Sequence, residues 1–542
     1  MFRSGWGNYP HYLSAGSVVV LAACGGGGGS DIAAVPAKPL EYAAKVSSCG
    51  AGDKPEAALQ GQVPAAQRQA GFKGSNCNLE LVGQVQGEGG NWSSATFSDA
   101  SGHTCAYHST AALTNFFTQQ AVERVHPGVP VIDITDPANP VRTTSLTSPA
   151  MMDAWEGLRV SANRQLLVAA NANNGGATGG PEVDVYDLSG DCRSPQLLAS
   201  AAQEYQTGDS AAPSKPIIGH EGSISPDGLT YYVGDFYNQK YHAIDITVPS
   251  RPRLIATFDT KLSPIAKAPH GLSVSADGKR VYVAALGLPT LAEVADPKTP
   301  PQNGFLVLDT SDVQARTPNA AIRLVSSVAF RDGSGAQHTI ETKINGKPYL
   351  VMVDEGGSGG VGATAGAAQD VVKAACQIGL APFPMARIYD MSDEKLPVLV
   401  SKLGLETHDP KNCDAVLPDV TGLSIFTYGS HYCSVDSREN ATAMACSYFN
   451  SGIRVFDIRN PSQPKEIAYF NPPGSSKPVT GSSHVMFGQW SAGGPDWCAS
   501  RLDFDKARGL LTTMCQDNGL MVMKFKNGVW PFPETIASTL HN

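Results

Sequence analysis

The chain of 542 residues has little charge. Lys and Arg number 40, Asp and Glu 49, and charged residues make up only 16% of the total. No run of Lys or Arg occurs anywhere, and the formal net charge is -9, so a nucleic-acid groove or an anionic membrane surface is excluded as the main partner. No apolar stretch approaches the roughly 20 residues that a membrane-spanning helix needs. No CxxC pair occurs, which removes thioredoxin-like redox chemistry and the zinc ribbon. A P-loop, an HExxH helix and a dinucleotide-binding glycine fingerprint are all missing. The spelling Gly356-Gly-Ser358-Gly-Gly360 sits in GGSGGVGATAGA without a strand-to-helix setting and reads as a loop rather than a nucleophile elbow. Asp503-Phe-Asp505-Lys-Ala-Arg-Gly509 lacks the later ligands of a calcium loop and reads as a hairpin turn.

What the chain does have is turns and short β-rich runs, with Gly 56 and Pro 38. One pattern recurs: a β-rich run ending in an acid, a polar turn often carrying Pro, then a second β-rich run. It is seen in VPVIDITDPANPVRTTSL, VDVYDLSGDCRSPQLLAS, YHAIDITVPSRPRLIATF, GFLVLDTSDVQARTP, ARIYDMSDEKLPVLVSKL and IRVFDIRNPSQPKEIAYF. The aligned acids are Asp133, Asp187, Asp245, Asp309, Asp390 and Asp457, and a degenerate seventh copy, GLMVMKFKNGVWPF, carries Lys524 there. The intervals are 54, 58, 64, 81, 67 and 67 residues. Upstream hairpins such as HGLSVSADGKRVYVAAL, turning at Asp-Gly, bring each repeat to four strands. Units of this length predict an all-β, single seven-bladed β-propeller over residues 79–530. The last repeat has no clear fourth strand, so residues about 79–86 are expected to complete the seventh blade and close the ring. The recurring acid is read as structural, accepting hydrogen bonds from the turn that it begins.

The runs VIDITDPANP, HAIDITVPSRP and FDIRNPSQPKEIAYF resemble the LVIVD-repeat family of bacterial β-propeller proteins. The hairpins PHGLSVSADGKRVYVAA and GHEGSISPDGLTYYVGD are also similar to YVTN-type propeller repeats. Both resemblances imply the fold and leave function open.

The N-terminus reads as an address. LSAGSVVVLAAC follows Arg3 and ends in Leu21-Ala22-Ala23-Cys24, a signal peptide over 1–23 that resembles a lipoprotein lipobox. Cys24 is the expected lipidation site. Residues 24–78 form a Gly-rich tether and N-terminal extension, and 531–542 a C-terminal tail. The expected place is the cell envelope, at the outer membrane, with the lipid as the only membrane contact and the protein a monomer. Ten further cysteines then enter an oxidising space. Hairpin geometry pairs Cys433 with Cys446 and Cys498 with Cys515, and Cys376 is matched with Cys413. Cys49, Cys77, Cys105 and Cys192 receive no partners.

Aligning the hairpins puts one residue of each blade at the start of its innermost strand. That column holds Glu156, His220, His270, His338, His431 and Ser500, with His103 or His108 as candidates for blade 1. Four aligned histidines of 12 in the chain, with a carboxylate, form a donor set that suits one zinc, copper or iron ion. Insertions at 171–181, 287–303, 354–385, 203–218, 405–429 and 473–496 should open on the same face as that column. His408 and His484 lie on them as accessory candidates. Two functions follow. One is a scaffold whose long-loop face binds an envelope protein or small ligand; the other is a metal-dependent enzyme, of oxidoreductase type among others, at a His-lined channel mouth.

Overall fold

The structure, a computed structural model, describes residues 44, 45, 48–111, 120–172, 180–207, 211–265, 267–355, 368–423, 426–486 and 493–533. The expected signal peptide over 1–23, Cys24, the Gly-rich stretch that follows it and the 356–360 motif lie outside them. Seven antiparallel sheets of blade type follow one another, and the chain is a seven-bladed β-propeller.

Blades 1 to 6 each use four consecutive strands, running from Ser94–Ser98 to Val141–Leu146 in blade 1 and from Tyr432–Val435 to Lys465–Asn471 in blade 6. Blade 7 has only three of its own, Asp503–Asp505, Leu510–Cys515 and Gly519–Phe525. Its outer strand is Leu79–Val85, paired antiparallel to Gly519–Phe525 from Leu79↔Phe525 to Val85↔Leu520. The N-terminal strand thus closes the ring as the missing fourth strand required. Ser75–Cys77, placed by sequence in the extension, adds a fifth strand to the edge of blade 6.

The middle strands show why the chain reads as apolar runs there. Thr230–Asp235 and Leu510–Cys515 are buried at every position, while the outer strand Gln196–Ala202 is largely exposed. Both faces of a middle strand pack on neighbouring blades, so alternation disappears. Ala106 and Ile132 of blade 1 share one cluster with Leu510, Leu520 and Val522 of blade 7, which seals the ring with side chains as well as backbone.

Each recurrent acid ends the third strand of its blade. In all six cases its Oδ1 accepts the backbone N–H two residues on: Thr135, Ser189, Thr247, Ser311, Ser392 and Arg459, at 2.8 to 3.0 Å. These are Asx turns that set the reversal into the outer strand.

Five disulfides are present. Cys433–Cys446 and Cys498–Cys515 staple blades 6 and 7, and Cys376–Cys413 joins the helices Ala368–Gln377 and Cys413–Val420 in the insertions. The cysteines left without partners by sequence form Cys49–Cys77 and Cys105–Cys192. The latter crosses from the second strand of blade 1 to the outer turn of blade 2. Loop-closure entropy ranks these bonds: the 87-residue separation of Cys105–Cys192 corresponds to about 4.6 kcal/mol and the 13-residue separation of Cys433–Cys446 to about 3 kcal/mol. Guanidinium melts of the two double Cys→Ala variants should show the larger loss for Cys105/Cys192; the reverse order would contradict unfolded-state entropy as the main contribution.

Candidate functional site

The start of each innermost strand meets the channel, and local backbone distortions aim the side chains there. Trp155, just before Glu156, has φ +43°, a conformation that a bulky residue rarely adopts. Bulges interrupt the pairing between Pro269 and Leu272 and between Ala336 and His338, releasing His270 and Gln337 from the regular ladder. Gly271 lets three blades meet: a Cβ there would lie 2.2 Å from Glu221 Oε2 and 2.3 Å from His338 Cβ.

Three imidazoles and two carboxylates converge. His220 Nε2 lies 3.5 Å from Glu156 Oε2, and His270 Nε2 lies 3.6 Å from Glu355 Oε1. His431 Nε2 sits 3.4 Å from Glu156 Oε1 and 3.1 Å from Glu355 Oε2. The other nitrogen fixes two of the tautomers. His270 Nδ1 is 2.9 Å from the Gln337 carbonyl and His431 Nδ1 is 2.6 Å from the Ala499 carbonyl. A carbonyl only accepts, so each Nδ1 carries the proton and, in the neutral ring, each Nε2 presents its lone pair to a carboxylate.

That arrangement is repulsive unless a proton or a cation lies between the partners. The His431–Glu355 pair at 3.1 Å is within hydrogen-bond reach, while the three pairs at 3.4–3.6 Å are spaced as donors around a cation are. Charge-assisted N–H···O bonds run at about 2.7–2.9 Å, whereas donors around a tetrahedral metal with bonds of about 2.0–2.1 Å lie about 3.3 Å apart. Backbone carbonyls holding the remote nitrogen are also the usual outer shell of metal-binding histidines.

Charge is unevenly compensated within the cluster. Glu221 is fully buried and held by Arg159 Nη2 at 3.0 Å and by Arg501. Burial works to raise its pKa, but Arg501, His270 and Arg159 outweigh burial and hold it at about 2. Glu156 has no such guanidinium partner among the described residues: burial pushes it up to about 7 despite His270 and His431. Burial opposes the charge on His270, but Glu156, Glu221 and Glu355 overcome it and raise the ring to about 9. Burial, reinforced by His270, drives His220 well below the usual histidine range. An aromatic roof lowers the local dielectric: Trp92 and Phe449 lie 5.0 and 5.1 Å from His431, and Phe236 stacks on His220 at 5.0 Å.

The remaining candidates fall elsewhere. His338 lies beside the cluster, its Nε2 3.2 Å from the Cys433 carbonyl and its Nδ1 on Gln337 Oε1. Ser500 is buried against Ser94, and its neighbours serve instead, Ala499 through its carbonyl and Arg501 through Glu221. His103 is on a hairpin turn of blade 1 with Asp99 at 3.0 Å. His108 bonds the Ser109 carbonyl, and burial lowers it to about 4. His408 is a loop brace, accepting from the Leu405 N–H and donating to the Tyr428 carbonyl. His484 belongs to a separate cluster. Blade 1 supplies Trp92 in place of a histidine. Glu221, Glu355 and Gln337 escaped sequence reading; the signals were the dipeptides His220-Glu221 and Gln337-His338, and the acid ending the run VMVDE.

No protein-family model and no curated protein matches the sequence. Among solved structures, the β-propeller domain of Myceliophteria thermophila Cps50 (Swd1) is 12% identical, covering 82% of this chain and 99% of that one with a TM-score of 0.44. Sqt1 from Chaetomium thermophilum is 10% identical, covering 82% and 97%, TM-score 0.43. A candidate 6-phosphogluconolactonase from Bacteroides fragilis is 9% identical, covering 78% and 93%, TM-score 0.42. Similarities this low carry no functional argument.

The ion network fixes a pH response of the metal-stripped protein. His270 binds its proton more tightly folded than unfolded. Its contribution is therefore complete below pH 6.5 and lost as pH rises through about 9. The loss is on the order of 3 kcal/mol. Glu156, raised to about 7, acts in the same direction between pH 4.5 and 7. Thermal melts from pH 6.5 to 9 should fall for the wild type and flatten for His270→Gln; parallel profiles would contradict the network.

Proposed function

We propose that the chain is an exported, lipid-anchored metalloprotein of the bacterial cell envelope. It binds one divalent transition metal through His220, His270 and His431 with Glu156 and Glu355, and turns over a small ligand there. The observation that carries this reading is the set of Nε2-to-carboxylate spacings of 3.1–3.6 Å, with Nδ1 of two rings fixed on backbone carbonyls. Three imidazoles with carboxylates suit zinc, iron or copper. A metal held there would supply Lewis-acid chemistry, polarising a bound oxygen and lowering the pKa of bound water.

Export is supported by the Leu21-Ala22-Ala23-Cys24 lipobox resemblance and by the use of ten cysteines in five disulfides, which belong to oxidising compartments. A second reading, a scaffold binding an envelope protein, draws on the helices Leu291–Ala295, Ala368–Gln377 and Cys413–Val420 carried by adjoining insertions. Elemental analysis separates the two. Protein starting near Ser30, exported to the periplasm and purified without chelator, should contain one more equivalent of zinc, iron or copper than its His270→Ala/His431→Ala variant. Equal metal content in the two proteins would leave the scaffold.

A further inference from the structure

His484, an accessory candidate by sequence, sits in a second buried cluster. Asp496 and Asp517 are fully buried and His484 is 3% exposed, and one donor atom from each lies within 4.8 Å of the others. His484 Nδ1 has no hydrogen-bond partner among the described residues and lies 3.6 Å from Asp517 Oδ2. Its ring stacks on Trp497 at 4.7 Å, which fixes the direction in which that nitrogen faces.

The carboxylates are hydrogen-bonded but have no Lys or Arg beside them among the described residues. Asp496 Oδ2 accepts from the Asp517 and Asn518 backbone N–H groups and from Asn518 Nδ2, while Asp496 Oδ1 shares only the Asp517 N–H. Asp517 Oδ1 accepts from the Ser482 hydroxyl and Oδ2 from the Ser475 N–H. Every one of these donors is neutral. A carboxylate has about four lone-pair sites, so Asp496 Oδ1 and both Asp517 oxygens keep acceptor capacity. No Lys or Arg pairs with either acid among the described residues. Two buried carboxylates without a counter-charge are costly, and an imidazole nitrogen faces them with nothing to bind.

We propose that His484, Asp496 and Asp517 form a second cation site that takes a divalent ion of the zinc or manganese class. Its ligands come from two different segments: His484 and Asp496 from the connection between blades 6 and 7, and Asp517 from the turn after Leu510–Cys515. The ion clamps that connection to blade 7. It thereby seats Trp497, whose ring lies 6.4 Å from Trp92, in the roof over His431. The site is independent of the channel cluster, sharing no ligand with it.

The test uses zinc alone, in the His270→Ala/His431→Ala background, which lacks two of the three imidazoles of the channel cluster. That protein should bind one equivalent of Zn²⁺ and melt at a higher temperature with it. Adding His484→Gln should abolish both effects. In the otherwise wild-type protein, His484→Gln alone should remove one equivalent, which keeps the test open should the triple variant not fold. Zinc binding that His484→Gln leaves unchanged in both backgrounds, or no zinc uptake by the His270/His431 variant, overturns the proposal. A wild type holding one equivalent that His484→Gln removes and His270→Ala/His431→Ala does not would support this site and refute the channel site, so the two claims fail separately.

Discussion

The pairing of Leu79–Val85 with Gly519–Phe525 is the constraint on which the remaining geometry rests. Without it blade 7 has three strands and an unpaired edge. With it the innermost strands face one channel, and their starts are brought together at its mouth. The cluster draws Trp92 from blade 1, Glu156 from blade 2, His220 and Glu221 from blade 3, His270 from blade 4, Gln337 and Glu355 from blade 5, His431 from blade 6 and Arg501 from blade 7. Donor spacings between 3.1 and 3.6 Å cannot survive a breathing ring. The fastening is correspondingly redundant: backbone pairing at blade 7, shared side-chain packing between blades 7 and 1, an added strand on blade 6, and the Cys49–Cys77 bond within the N-terminal arm.

The acids of this protein divide by what neutralises them. The six repeat acids sit at strand ends, accept turn N–H groups and do structural work. Glu221 is buried but locked between two guanidinium groups, which marks it as a support for the mouth. Glu156 and Glu355 face imidazoles, and Glu156 also the Gln337 amide, with no guanidinium partner among the described residues. At a buried position that is an incomplete electrostatic arrangement, and the same incompleteness recurs at Asp496 and Asp517.

Much of the fold was legible because a propeller repeats. Blade number, the closing strand, the six acids and the hairpin disulfides all follow from local spacing, and residues at the same register in each repeat end in the same place. What escaped was whatever one blade does to the next. Cys105 and Cys192 belong to different blades, and nothing local joins them. Gln337 and Arg501 enter the channel through bulged or irregular starts of strands, where counting from the turn is off by one. That is why Ser500 was named and its neighbours were not. Glu355 lies at the far end of a second strand, in a register that the aligned column did not include. In blade 1 Trp92 stands beside His431 where the other blades bring a polar side chain, and His103 lies on a hairpin turn with Asp99.

The most direct test is anomalous diffraction from crystals of the metal-loaded protein, with data on both sides of the absorption edge of the bound metal. The geometry predicts a difference peak about 2.0–2.2 Å from ring nitrogens among His220, His270 and His431 and from a carboxylate oxygen of Glu156 or Glu355. Fully loaded crystals with no peak at the channel mouth, and with Glu355 hydrogen-bonded directly to a protonated His431, would show that the cluster is a proton-bridged ion network and contradict the account.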